Sequence, residues 1–209
     1  MKKFASTNLP IILSSGMSTL DEVSEALDTV GFFSGYPTIL LITTSQYPTP
    51  PEDVNLMKFH TLSKKFPGLI LGFSDHTIGS IASSLACVLG AAFFEKHFTL
   101  DNSLPGPDHW FSANPEQLKI WRDSIMFSFK MLGDPAVKPT KLEKEMKVLA
   151  RRSVFVLKDI EKGQVFNYEN LGIRRPGNGL NPIEIEKIIG KKATKKITKG
   201  QILRKEDYE

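Results

Sequence analysis

The residues in this chain best suited to chemistry are two histidines, each just past a short apolar run and each beside a carboxylate. They lie in Gly72-Phe73-Ser74-Asp75-His76-Thr77 and in Glu95-Lys96-His97-Phe98-Thr99. Only four histidines occur in the sequence, so the repeated placement points to a metal or catalytic site built at strand ends. His76 and His97 would each offer one imidazole nitrogen to a divalent cation and leave its other positions to water or substrate, as a catalytic metal requires. A pair of hydrogen-bonded strand-end histidines fits the same spacing. Glu95 shares a strand face with His97, two residues on. It suits general acid–base work, or equally an ion pair with its neighbour Lys96. Asp108, in Pro105-Gly106-Pro107-Asp108-His109-Trp110, either presents a carboxylate to a polyol or simply makes a turn. Ser14, Thr44, Ser45 and Ser74 put hydroxyls at three strand ends, where they cradle an anion or cap helices. Arg175 is the best anion binder elsewhere, in a loop that Gly177 and Gly179 are expected to leave mobile, although a lone surface arginine is also simply solvated.

Groups placed this way need strands that end together. The first 132 residues repeat one pattern four times: an apolar β-rich run, a polar stretch, then an amphipathic helix. Ile11–Leu13 precedes a helix with the capping-box spacing Thr19 to Glu22 and an apolar face of Leu20, Val23, Leu27 and Val30. Thr38–Ile42 precedes a helix expected over about Asn55–Phe66, ended by Pro67-Gly68. Leu69–Phe73 precedes a small-residue helix over Ile78–Leu89, and Ala91–Phe94 precedes one opened by Asn114 as N-cap with Pro115 at its first position. Successive βα units imply a parallel sheet with right-handed crossovers. Four units fall short of the roughly 250 residues of a (β/α)8 barrel, so they read as half of one or as a small open sheet; in both, loops after the strands carry the chemistry.

A polar segment, 134–150, follows as a linker with a lysine-rich helical tail. Beyond it, 151–209 carries an internal echo: Lys158-Asp159-Ile160-Glu161-Lys162-Gly163-Gln164-Val165 recurs as Lys195-Lys196-Ile197-Thr198-Lys199-Gly200-Gln201-Ile202. A small β-rich domain with pseudo-symmetry is expected. This tail is basic, with 14 Lys/Arg against 8 Asp/Glu, while the first 150 residues hold 13 against 15. It lacks interleaved aromatics and any nucleic-acid signature, so an anionic small molecule or acidic surface is at least as good a partner. Hydrophobic residues make up 41% of the 209, enough for a core. The single cysteine, Cys87, excludes a disulfide framework and a thiolate zinc site and fits a reducing cytoplasm. No signal peptide or membrane-spanning run is read at the N-terminus.

Taken together, Ser-Asp-His-Thr, Glu-Lys-His-Phe-Thr-Leu-Asp, Pro-Gly-Pro-Asp-His, the stretch Thr44–Leu56 and the Arg-Pro-Gly-Asn-Gly loop resemble the bacterial sialic acid synthases across essentially the whole chain. The resemblance implies an α/β fold: a TIM-type barrel, here in part as four βα units over 1–133, followed by a small antifreeze-like (SAF) domain over 151–209. It implies condensation of phosphoenolpyruvate with N-acetylmannosamine or a related N-acyl amino sugar. His76 and His97 match the ligands of a manganese or magnesium ion, and Glu95 matches the acid/base. Ser14, Ser45, Tyr47 and Ser74 match positions lining the substrate sites, and Asp108 matches a ligand of the sugar hydroxyls. It further implies a cytoplasmic homodimer whose tail domains are exchanged, with Arg175 reaching the partner's sugar N-acyl group, and neither nucleic acid nor membrane as partner.

Two departures from the family pattern stand out. Its asparagine in the second loop is Ser45 here, a shorter group expected to weaken an anion contact. The chain also begins where a family member is about halfway round its barrel, so the lysines for phosphoenolpyruvate are expected elsewhere and the isolated chain is expected to be inactive. A legionaminic acid synthase is the neighbouring alternative, and the Pro-Gly-Pro-Asp-His motif is read against a pseudaminic acid synthase. A non-catalytic saccharide-binding or assembly protein is the alternative of another class.

Overall fold

The computed structural model describes residues 1–209, the side chain of Lys2 excepted. It divides into two compact units, Met1–Pro135 and Ala136–Glu209. The first runs α1 (Lys2–Ala5), β1 (Ile11–Ser14), α2 (Leu20–Val30), β2 (Thr38–Ile42), α3 (Pro51–Val54), α4 (Lys58–Lys65), β3 (Ile70–Asp75), α5 (Ile81–Val88), β4 (Phe93–Lys96) and α6 (Pro115–Leu132). Its strands pair in sequence order β1-β2-β3-β4, all parallel, as a curled half-barrel.

The helices start where their first-turn N–H groups find partners. Thr19 caps α2 in a reciprocal box with Glu22, and Asn114 does the same for α6 with Gln117, Pro115 filling the first turn. The second connection differs from expectation. A short helix α3 starts at Pro51, Asn55 takes a left-handed conformation (φ 48°) that ends it, and α4 begins only at Lys58. A Pro-Pro pair at 50–51 starts one turn, and Asn tolerates the left-handed region that breaks it from the next.

Side chains alternate across the sheet, and the alternation decides the core. Leu40 and Ile42 of β2 and Leu71 and Phe73 of β3 face outward onto Val23, Leu27, Phe59, Leu62, Ala82 and Ala86 of the helices. Each such buried aliphatic or aromatic side chain contributes about 1.5–3 kcal/mol. On the fourth unit Phe94 packs on Trp121, with Cys87 and Ile125 beside it. The opposite face of β3 and β4 carries Gly72, Ser74, Phe93 and Glu95, with His76 and His97 immediately beyond the last ladder pair, Asp75 with Lys96.

In the second unit, α7 (Lys141–Ala150), capped by Thr140 and Glu143, precedes β5 (Ser153–Val156), which pairs antiparallel with β6 (Leu171–Arg174); α8 (Ile185–Ile188) follows. The sequence echo is a physical dyad. Ile160 and Ile197 exchange both backbone hydrogen bonds at 2.9 Å, the self-pairing expected on a two-fold axis. Residues thirty-seven apart repeat one another's bonds: Gly163 N–H donates to Ala193 and Gly200 N–H to Val156, while Phe166 donates to Lys191 and Leu203 to Val154. Gln164 and Gln201 side chains accept from Glu161 and Thr198 N–H at 2.9 Å each. Ile160, Ile197, Phe166 and Leu203, at most 2% exposed, fill the centre between the copies.

Gly163 and Gly200 sit at φ 85° and 89°, and a Cβ at either would touch nothing within 4 Å. A substitution there therefore reports backbone strain alone. Gly163→Ala and Gly200→Ala should each destabilise the second unit by about 1–2 kcal/mol and by matching amounts, read as urea midpoints. Costs differing by more than about 1 kcal/mol would show the two turns to be inequivalent.

Candidate active site at the ends of β3 and β4

His76 is the centre of the cluster and is buried. Its Nδ1 lies 2.8 Å from the Thr44 carbonyl oxygen, which can only accept, so Nδ1 carries the proton. Thr43 Oγ1, 3.3 Å from the same nitrogen, donates to the Ser74 carbonyl at 3.0 Å. Thr49 N–H donates to the carbonyl of His76 itself at 2.9 Å, so the loop after β2 holds the histidine by backbone and ring together. A carbonyl partner of this kind fixes a metal-ligating imidazole's tautomer and orientation.

Burial pulls the His76 imidazole below the usual histidine range, against the opposing pull of the Thr44 carbonyl. The neutral ring is thus favoured, and its Nε2 presents a lone pair. Ser74 Oγ lies 3.2 Å from Nε2, but that hydroxyl donates to Glu95 Oε1 at 2.7 Å. Nε2, Ser74 Oγ and Glu95 therefore gather electron-rich atoms, the one hydroxyl proton among them being turned to the carboxylate. That is a chemical environment suited to a cation.

His97 stands across from His76 with ring centroids 5.2 Å apart and planes at 85°. An imidazole nitrogen about 2.1 Å from a metal puts its ring centroid about 3.2 Å away, so two rings meeting one ion at roughly 90–110° have centroids about 4.5–5.3 Å apart. The observed spacing lies inside that window. His97 Nδ1 is 3.6 Å from Asp108 Oδ2, and Tyr47 packs over both imidazoles, with centroids 4.3 Å from His76 and 5.3 Å from His97. Phe111 closes the side, 5.2 Å from His97 and 5.5 Å from Tyr47. Among the described residues no group of three or more His, Cys, Asp or Glu is arranged to hold a metal ion. The available protein donors are the two imidazoles, which leaves room for water or substrate oxygens.

The structure thus gathers Tyr47, Ser74, His76, Glu95, His97 and Asp108. Ser14 stands at the end of the edge strand β1, its Oγ accepting from Gly16 N–H at 3.5 Å. Ser45 lies against Gly16 and lines an open cavity of about 520 Å3 shared with Ser15, Asn55, Lys58 and Thr61. Arg175 belongs to the second unit, where its Nε donates to the Ala150 carbonyl at 2.9 Å. The loop around it is tied, contrary to the expectation of mobility. Gly177 N–H donates to Val148 and Gly179 N–H to Ser153 Oγ, and a Cβ on Gly177 would strike Arg151 while one on Gly179 would strike Ile202. These glycines serve close packing.

Lys96 does not pair with Glu95. It crosses beneath the sheet to Asp75, Nζ to Oδ2 at 3.2 Å, with side chains 6% and 0% exposed. Thr77 N–H and Oγ1 donate to Asp75 Oδ1, while Ser83 Oγ and the Trp121 indole N–H donate to Oδ2 at 2.6 and 2.9 Å. Burial draws the Lys96 ammonium below the usual lysine range, with Asp75 acting against it. An acidic and a basic residue each one position from a histidine, on adjacent strands, was the available signal for this pair.

A curled parallel half-barrel with polar and imidazole groups at the carboxyl ends of its strands defines the class: a portion of a (β/α)8-type enzyme fold with a SAF domain. Residues 1–136 match the NeuB family and residues 151–209 the SAF domain. The chain belongs to the NeuB family. It is 41% identical over 203 residues to the N,N'-diacetyllegionaminic acid synthase of Legionella pneumophila, covering 95% of this chain and 57% of that protein. It is 39% identical to the pseudaminic acid synthase of Helicobacter pylori, covering 100% of this chain and 61% of that protein. Among solved structures it superimposes on the N-acetylneuraminic acid synthetase of Leptospira borgpetersenii with a TM-score of 0.62 at 33% identity, over 69% of this chain and 50% of that one. The chain therefore spans about three-fifths of the curated relatives it matches. Values of 41% and 39% do not separate the legionaminic from the pseudaminic branch, so the Pro-Gly-Pro-Asp-His motif alone does not exclude the latter.

The buried pair beneath the site carries a stability prediction. Asp75→Ala would leave the Lys96 ammonium buried without a counter-charge and the Trp121 N–H with only Ser83 as partner. It should cost about 3–5 kcal/mol in urea unfolding. A loss under about 1 kcal/mol would mean that water reaches the ammonium.

Proposed function

We propose that this chain supplies the metal- and acid/base-bearing half of a sugar-acid synthase that condenses phosphoenolpyruvate with N-acetylmannosamine or a related N-acyl amino sugar. The observation that carries the reading is the convergence of His76, His97, Ser74, Glu95 and Tyr47 on one face at the ends of two adjacent strands. The legionaminic acid and pseudaminic acid synthases among its relatives support it. A legionaminic acid synthase, acting on a diacetamido sugar, is the same chemistry with a different acceptor.

His76 and His97 hold a divalent cation, Mn2+ or Mg2+, through one imidazole nitrogen each. When bound, the cation supplies Lewis-acid polarisation of the open-chain sugar's aldehyde. The methylene carbon of phosphoenolpyruvate forms the new carbon–carbon bond to that aldehyde carbon. Water then adds at the adjacent oxocarbenium carbon, and the C–O bond to phosphate breaks, leaving a 2-keto acid and inorganic phosphate. Glu95, its carboxylate aimed by the Ser74 hydroxyl, takes one proton from that water and delivers it to the alkoxide oxygen of the former aldehyde, while the water's second proton leaves with the phosphate. Tyr47 walls the two imidazoles and limits the water around them. Asp108, beside His97, accepts from the acceptor sugar's hydroxyls, and Ser14 and Ser45 contribute hydroxyls to the phosphoenolpyruvate side. Arg175 binds the sugar's N-acyl oxygen from the tail unit of a second protomer in an exchanged homodimer. The lysines that neutralise phosphoenolpyruvate come from the complementary half-barrel, so turnover needs both.

Two measurements test this. Mn2+ titration of the chain, followed by electron paramagnetic resonance of the free ion, should show one site that His76→Ala or His97→Ala each weakens at least about tenfold. Equal binding in all three proteins would remove the metal assignment. With the complementary half-barrel of a NeuB relative supplied in trans or by fusion, phosphate release should require phosphoenolpyruvate and an N-acyl amino sugar together. Glu95→Gln should then lower kcat by about 100-fold with KM little changed. A folded reconstituted enzyme that releases no phosphate with mono- or diacetamido sugars would defeat the reading.

A further inference from the structure

We infer that the Asp75–Lys96 ion pair, on the far side of the sheet from the histidines, is the positioning device that sets the separation of the His76 and His97 imidazoles. This rests on the reading that those imidazoles share a cation. The β3–β4 ladder ends at the Asp75–Lys96 pair itself, so no strand pairing holds His76 opposite His97. Side chains do that work. Lys96, the residue before His97, sends its ammonium across to grip both sides of His76: the Asp75 carboxylate at 3.2 Å and the Thr77 carbonyl at 2.8 Å. One buried cation thus staples the backbone flanking one histidine to the strand carrying the other.

The staple is itself held. Asp75 Oδ1 is fixed by the Thr77 backbone and hydroxyl, closing a tight turn around His76, and Oδ2 is fixed by Ser83 of α5 and Trp121 of α6. The Trp121 N–H also reaches Ser83 Oγ at 2.7 Å, so the two outer helices and both strand ends meet at one carboxylate. Stability alone is a poor reason for such a pair, because well-packed apolar residues of similar volume usually serve as well or better. Geometry is a better one, since a site at bond lengths of about 2 Å does not tolerate shifts of about 1 Å in its ligands. The Ser74–Glu95 hydrogen bond on the site face would remain without the pair, as would the bonds of His76 to Thr44 and Thr49 and of His97 to Ala113, but none of these joins the two chain segments beyond the ladder to each other.

The test is Co2+ titration of the full chain, followed by visible absorption, since Co2+ favours imidazole more than Mn2+ does and its spectrum reports coordination geometry. His97→Ala defines the component due to the site. Asp75→Asn, which keeps shape and removes charge, should weaken that component about tenfold or more and alter its spectrum. Trp121→Phe, which removes one donor to Asp75 and keeps the packing, should weaken it about threefold with the fold intact. Phe59→Leu, a core change on α4 whose ring packs 6.3 Å from that of Phe73 on the helix side of β3, should lower the urea midpoint and leave Co2+ affinity unaltered.

A folded Asp75→Asn protein that binds within about twofold of the unaltered chain overturns the inference. If Asp75→Asn does not fold, Trp121→Phe with unaltered affinity overturns it. Weakening by Phe59→Leu equal to that by the Asp75 or Trp121 variants also overturns it, since general destabilisation would then explain the effect. Co2+ binding unaffected by His97→Ala is a separate failure, of the shared-cation reading itself.

Discussion

Everything at the site depends on two parallel strands ending at the same level. The register that sets Ser74 beside Glu95 also sets Asp75 beside Lys96. Because successive side chains leave a strand on opposite faces, a run of three residues serves two environments at once. Ser74 and His76 join Glu95 and His97 in a polar cluster, while Asp75 and Lys96 between them turn toward the helices, their side chains buried. A slip of one residue would exchange the two sets, putting imidazoles under the helices and an ion pair on the site face. The hydrophobic alternation of Leu71 and Phe73 below holds that register, since the same slip would expose both.

Much of this arrangement was legible in the sequence because its signals are local. The capping-box spacing at Thr19 and the Asn114-Pro115 N-cap mark helix starts to the residue, and Thr38–Ile42 is found as expected. Strand ends were less legible. β3 and β4 run on through Asp75 and Lys96, past the apolar stretches that announced them. Hydrophobicity reports burial against other apolar groups, and these two residues are buried against each other. The alternative of a Glu95–Lys96 ion pair fails on the same ground, since a strand sends neighbours to opposite faces. The helix expected over about 55–66 is found as Lys58–Lys65, starting late because Asn55 takes a left-handed conformation that hydropathy does not signal. Asp108 and Tyr47 lie on loops, and their approach to His97 follows from motif resemblance rather than from periodicity. No described helix is long and apolar enough to cross a membrane.

The second unit illustrates a different relation between sequence and structure. Its repeat is plain in the chain, yet the repeat alone does not say whether the copies stack, swap or face each other. The reciprocal bonds between Ile160 and Ile197 resolve this as a dyad. The Arg175 loop lies off that dyad and owes its order to close packing at Gly177 and Gly179 rather than to a ligand.

That dyad also bears on how the tail unit assembles. Few of its central bonds can form within one copy, because Gly163 needs Ala193, Gly200 needs Val156, and each Ile needs the other. The first such contact closes a loop of roughly forty residues, an entropic cost of about 3 kcal/mol before any reward. Once closed, each later bond joins segments already side by side. The unit is therefore built to cross one early barrier and then complete itself, with neither half persisting alone as a folded species.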